Sequence, residues 1–129
     1  MNAYPEKQHY TADDLVAIIA ILRDPDNGCP WDKVQTHRSI RMNFLEEAYE
    51  AVDAIDLDDP ELLCEELGDV LFAAVKAARF AGVDPEDALH RACDKYQGRF
   101  RRVADAADRP LNAYTEAEKI ALWEQAKEN

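Results

Sequence analysis

Two short acidic runs carry the chemistry this chain is equipped for, Glu46-Glu47-x-x-Glu50 and Glu65-Glu66-x-x-Asp69. On a helix, residues three apart share a face, so Glu47 groups with Glu50 and Glu66 with Asp69. The link between the runs, Leu57-Asp58-Asp59, is too short for anything but an antiparallel helical hairpin. In such a hairpin Glu50 faces Glu66 and Glu47 faces Asp69, because each pair is symmetric about position 58. The four carboxylates then form two layers about 4.5 Å apart along the helix axes. Ionised groups at that spacing repel one another and need cationic company. Arg or Lys partners are one answer, but an all-oxygen set suits a hard divalent ion, Mg²⁺ above all, with Mn²⁺ as a substitute. No His shares this face, which argues against a di-iron carboxylate bundle. Acidic helix faces are often merely solvated; the matched spacing of two acidic pairs is what favours a cluster. Glu46 and Glu65 either support the four or face solvent.

Mg²⁺ on carboxylates commonly shares its shell with a polyphosphate, and such a ligand also calls for basic groups. Lys33, His37, Arg38 and Arg41 form one local cluster; Lys95, Arg99, Arg101 and Arg102 form another. Lys95 and Arg99 share a helix face and serve either phosphate or surface ion pairs; for Arg101 and Arg102 ion pairing is the better reading. In the loop Gly28-Cys29-Pro30-Trp31-Asp32, Trp31 either stacks on a base or plugs the end of a bundle. Tyr49, Cys64 and Cys93 read as core residues.

The elements that must position these groups are helices throughout. The chain has 129 residues, enough for one domain with a real core, and 47% of them are hydrophobic. A first helix opens at Thr11 and stops at Asp24-Pro25. A second begins near Thr36 or Ser39 and runs to about Leu57. The third has Asp59 as N-cap, Pro60 at its first position and Gly82 as its C-terminal stop. The fourth runs from Asp84-Pro85 to about Ala107, and the fifth opens at Thr115 with Glu118 three residues on. No alternating strand pattern competes, so the expected class is all-α, an antiparallel bundle of about five helices. The expected organisation is a single domain over residues 1–129, with its core at about 12–128 and a polar tail at 1–10. The third helix is apolar around much of its girth, which implies either a central helix or a partner chain.

Charge narrows the function further. Fifteen basic residues against 27 acidic ones give a formal net charge of −12, which disfavours a nucleic-acid polymer or an anionic membrane as partner. No apolar run approaches membrane-spanning length, the N-terminus lacks a signal pattern, and three scattered cysteines make no disulfide framework. A cytoplasmic protein is expected.

The Gly28-Cys29-Pro30-Trp31-Asp32 loop, Gln35-Thr36, Glu46-Glu47-x-x-Glu50 and Glu66-Leu67-Gly68-Asp69, taken in this order, resemble the MazG-like nucleoside triphosphate pyrophosphohydrolases. Lys95-x-x-x-Arg99-Phe100 and the stretch from Leu122-Trp123 to Ala126-Lys127 are similar as well, so the likeness covers about residues 12–128. It implies an intertwined homodimer, sometimes a dimer of dimers, and Mg²⁺-dependent hydrolysis of a nucleoside triphosphate to monophosphate and pyrophosphate. It implies Glu47, Glu50, Glu66 and Asp69 as metal ligands, Lys95 and Arg99 as phosphate contacts, and Trp31, Asp32 and Lys33 as the loop beside the nucleotide. Glu46 or Glu50 would orient or deprotonate the attacking water. The chain departs from the family pattern at Asp94, where Asn is common, and at Tyr96, where Phe is common. Related substrates, dUTP or dCTP or a phosphoribosyl-ATP, keep the same chemistry. A non-catalytic helical dimerisation or regulatory module is the reading from another class.

Overall fold

The structure is a computed structural model that describes residues 4–128. It contains five α-helices and one 3₁₀ turn, and no strand among the described residues: α1 (Ala12–Leu22), α2 (His37–Asp56), α3 (Pro60–Phe80), α4 (Pro85–Ala106), the 3₁₀ turn (Leu111–Ala113) and α5 (Glu116–Lys127). The all-α class is as the sequence indicates. The chain divides into two compact units between Glu86 and Asp87, so the first unit holds α1 to α3 and the second most of α4 with α5.

Each helix begins where a side chain can take over an orphan backbone donor. Thr11 accepts from the Asp14 amide at 3.2 Å while the Asp14 carboxylate accepts from the Thr11 amide at 2.8 Å. Thr36 and Ser39 make the same reciprocal pair at the start of α2, and Thr115 and Glu118 make it at α5. The two candidate starts for α2 are therefore one capping device. Asp59 Oδ1 accepts from the Leu62 amide at 3.1 Å, and Pro60 occupies the first turn, where no amide hydrogen is needed.

Helix ends are equally explicit. Past α3 the Val83 amide donates to Ala78 O at 2.9 Å and the Gly82 amide to Arg79 O, with Gly82 at φ +69°. At the α2–α3 turn the left-handed residue is Asp58, at φ +54°. Within the first unit α2 and α3 pack as an antiparallel hairpin, and α1 packs on α3. Ile19, Ile40, Ala51, Ala54, Ala73 and Val75 form the core there. The alanines allow the close approach that brings the acidic faces of the hairpin together. Phe80 collects the three helix ends: the Arg23 guanidinium lies 3.7 Å above its ring, and the His37 ring meets it edge-on at 5.9 Å.

In the second unit Tyr96 stacks on Trp123 with ring centroids 5.9 Å apart, and Phe100 lies 5.2 Å from the same indole. Arg102 donates from Nε to Ala126 O at 2.9 Å, satisfying a carbonyl in the last turn of α5. This is a backbone contact where the sequence indicates surface ion pairing.

Candidate metal centre

The hairpin brings three of the four expected acids together. Glu47 on α2 and Glu66 and Asp69 on α3 each place one carboxylate oxygen within 4.8 Å of the others. Glu50, one turn after Glu47, lies within hydrogen-bonding reach of both Glu47 and Glu66 and remains exposed. Glu46 is exposed on α2 and does not join the three converging carboxylates. Glu65 is exposed and contributes charge repulsion to Glu66.

The electrostatics of the cluster are those of a site short of positive charge. Desolvation pushes the Glu47 carboxyl above its ordinary value, and the charges of Glu50 and Asp69 push it further; a hydrogen bond from Asn43 opposes them. Desolvation likewise raises Glu66, reinforced by contact with Glu50 and by the charges of Asp69 and Glu65. Glu47 Oε2 and Glu66 Oε2 are buried and have no hydrogen-bond partner. Buried carboxylate oxygens are normally paired, and two unpartnered ones on residues whose carboxylates converge are what a hard divalent cation would satisfy. The donor set is all oxygen, so the residues present fit Mg²⁺ or Mn²⁺.

The loop candidates lie in the same unit. Trp31 is 75% exposed, so it plugs nothing in this chain, and the bundle-plug reading is corrected. Asp32 pairs with Lys76 on α3 at 3.1 Å, and Lys33 donates from Nζ to Pro25 O at 3.3 Å. The loop folds back tightly on the end of α1: Asp24 Oδ1 accepts from the amides of Asp26 and Asn27, and the Cys29 amide donates to Leu22 O. Gly28 is required there, since a Cβ would sit 2.4 Å from Asp24 O.

Lys95 and Arg99 belong to the second unit, one turn apart on α4. Lys95 Nζ lies 5.2 Å from the Tyr96 ring centroid, and the Arg99 guanidinium lies 5.6 Å from Tyr96 and 5.8 Å from Trp123. Both cations are thus held against aromatic faces. Asp94 contacts His90, one turn earlier, at 3.1 Å.

Two participants escaped the sequence reading. Asn43 donates to Glu47 Oε1 at 3.4 Å, and its position four residues before Glu47 was a usable signal. Lys76, two turns after Asp69 on the same face of α3, owes its place to Asp32 on a distant loop, and no local spacing pointed to that contact.

The family model described as the MazG nucleotide pyrophosphohydrolase domain matches residues 35–104. Over 115 residues the chain is 39% identical to a nucleoside triphosphate pyrophosphohydrolase of Escherichia coli strain K12, covering 89% of this chain and 44% of that protein. Over 119 residues it is 36% identical to the nucleoside triphosphate pyrophosphohydrolase/pyrophosphatase MazG of Thermotoga maritima, covering 89% of this chain and 46% of that protein. A nucleoside triphosphate pyrophosphohydrolase of Mycolicibacterium smegmatis is 36% identical over 135 residues, 97% of this chain and 38% of that protein. The chain spans less than half the length of these curated relatives. No solved structure matches it.

Proposed function

The chain belongs to the MazG nucleotide pyrophosphohydrolase family, and from that premise we propose that it hydrolyses a nucleoside or deoxynucleoside triphosphate to the monophosphate and pyrophosphate, with Mg²⁺ as cofactor. The observation that carries the proposal is the pair of buried, partnerless oxygens on Glu47 and Glu66, within reach of Asp69 and Glu50. Glu47, Glu50, Glu66 and Asp69 would hold the cation. When bound, Mg²⁺ neutralises polyphosphate charge and makes water more acidic.

The remaining roles fall to this chain's own side chains. Water adds to a phosphorus of the α–β linkage, and the bond from phosphorus to the bridging oxygen breaks. Glu50, exposed and one turn along α2 from Glu47, takes the proton of that water; Glu46 is the other carboxylate proposed for orienting it. Lys95 and Arg99 are proposed to offset charge on the departing pyrophosphate. Trp31, Asp32 and Lys33 are proposed to meet the nucleotide, with the exposed indole free to stack on a base.

We further propose a homodimer, or a dimer of dimers, as the working assembly. What supports it is an apolar stripe left exposed on α2 (Met42, Leu45, Tyr49, Val52), together with the exposed Leu67 and Leu71 on α3. A cytoplasmic location is proposed as well; the three cysteines are free, and no helix among the described residues is long and apolar enough to cross a membrane.

The test is pyrophosphate release from a panel of triphosphates with Mg²⁺, run beside Glu50→Gln and Asp69→Asn. Turnover by the wild type that falls at least about 100-fold in both variants is expected, since each loses a carboxylate the site depends on. A wild type that neither turns over nor melts higher with Mg²⁺ and a non-hydrolysable triphosphate would leave the helical-module reading instead.

A further inference from the structure

The loop between α1 and α2 runs from Arg23 to Thr36 without regular secondary structure and holds Trp31 out in solvent. Its fixed point is Asp32. The Arg23 guanidinium, stacked on Phe80, donates to Asp32 O, and Lys76 Nζ sits 3.1 Å from Asp32 Oδ1. The Lys76 and Asp32 side chains are 16% and 21% exposed. A charge that well covered is costly without its partner, so each member of the pair confines the other. One residue of the loop is thus gripped through both its carbonyl and its carboxylate, while the neighbouring Trp31 side chain stays exposed.

The grip leads to the acids. Lys76 lies on the same face of α3 as Asp69, two turns or about 10 Å along the axis. Glu66 and Asp69 are on that rigid helix, so the position of Trp31 and Lys33 relative to the carboxylate cluster is set by where Lys76 holds Asp32. Besides Lys76, the loop is tied to the rest of the unit through Arg23, while hydrogen bonds such as Lys33 Nζ to Pro25 O and Gln35 Nε2 to Trp31 O join it to itself.

Resting on the reading above, we propose that Lys76 is a positioning residue: through Asp32 it latches the Trp31 loop to the metal-binding helix and so sets affinity for the nucleotide. It acts before chemistry, on binding, and touches neither the reacting atoms nor the cation. An ion pair that merely stabilised the fold would raise the melting temperature and leave nucleotide affinity alone.

The experiment uses the full chain carrying Lys76→Met or Lys76→Arg. In Lys76→Met the KM for the best triphosphate should rise about tenfold with kcat within about twofold, the pattern of a misplaced binding element. Amides of residues 24–35 should exchange hydrogen faster, while those of the α2–α3 hairpin keep their rates. Lys76→Arg, which keeps the charge, should restore both. Should Lys76→Met fail to fold, Lys76→Gln keeps a donor without the charge and is judged on the same two readouts. Unchanged exchange over 24–35, unchanged KM, a fall in kcat alone, or no rescue by arginine would each overturn the latch. A wild type that releases no pyrophosphate would remove the enzymatic reading, and the exchange rates would still decide whether Lys76 holds the loop.

Discussion

Glu66 carries its instability in a single carboxyl. Burial and the surrounding acids Glu50, Asp69 and Glu65 hold its protonation above the ordinary 4.5, as burial, Glu50 and Asp69 do for Glu47. The sign of the effect follows from proton counting. Between the ordinary value and the raised one, the folded chain binds more protons than the unfolded chain, so stability falls as pH rises through that window. The acids with lowered values act the other way: Asp14 beside Lys7, Asp108 beside Tyr114 and Arg109, Glu116 beside Lys119, and Glu118 on the Thr115 amide. Their contribution is present above the ordinary carboxylate value and is lost as pH drops through their folded values. Without metal, the chain should therefore be most stable in the acid range and melt lower at pH 8. Glu66→Gln removes one partly buried charge at nearly constant shape. In chelator it should melt a few degrees above the wild type at pH 8, with the gap closing toward pH 4.5, and it should lose the rise in melting temperature that Mg²⁺ gives the wild type. Thermal melts across pH with EDTA or Mg²⁺ check both halves. A variant that still gains from Mg²⁺ as much as the wild type would show that Glu66 is not a ligand.

The α2–α3 hairpin is the element that turns two acidic stretches into one site, and its turn has one conformational cost. Asp58 sits at φ +54°, the left-handed position that follows the α2 C-cap. Asp58→Gly should stabilise the chain by up to about 1 kcal/mol, while Asp58→Val should cost about 1–2 kcal/mol, since a branched side chain is strained there. Chemical denaturation of the two variants measures the difference, and a glycine variant no more stable than the valine one would contradict the turn geometry. This hairpin was the most legible part of the fold, because Asp59-Pro60 marks the start of α3 and the spacing of the acids about position 58 fixes the facing pairs. The capping threonines were legible for the same local reason. What covers an apolar residue was not legible: Tyr49, Cys64 and Cys93 are exposed, although helical periodicity places them in a core. Periodicity reports that a face is apolar and is silent about what lies opposite. The Asp32–Lys76 contact was hidden for a different reason, since it joins an irregular loop to a helix 44 positions later and no local rule spans that distance.

Those exposed apolar residues become informative at the scale of the molecule. α2 buries Ile40, Ala51 and Ala54 on one side and leaves Met42, Leu45, Tyr49 and Val52 open at three- and four-residue spacing on another. On α3, Leu67 and Leu71 are also open, two turns and one turn before the buried Val75 on the same face. In the proposed dimer these open residues are covered by a second copy of the chain, which offers the same surface in return. Leu71, at 66% exposure, is the sharpest probe. In a two-fold interface each substitution acts twice. Leu71→Glu then removes two apolar contacts worth about 2 kcal/mol each and places two carboxylates where they must be desolvated. Dimer affinity should fall by at least about 1,000-fold, the equivalent of about 4 kcal/mol. The wild type should sediment at twice the 14.6 kDa chain mass and melt at a temperature that climbs with protein concentration. Leu71→Glu should run as a monomer with a melting temperature independent of concentration. A wild type that sediments as a single chain would end the dimer proposal, and the exposed stripe would then need another occupant.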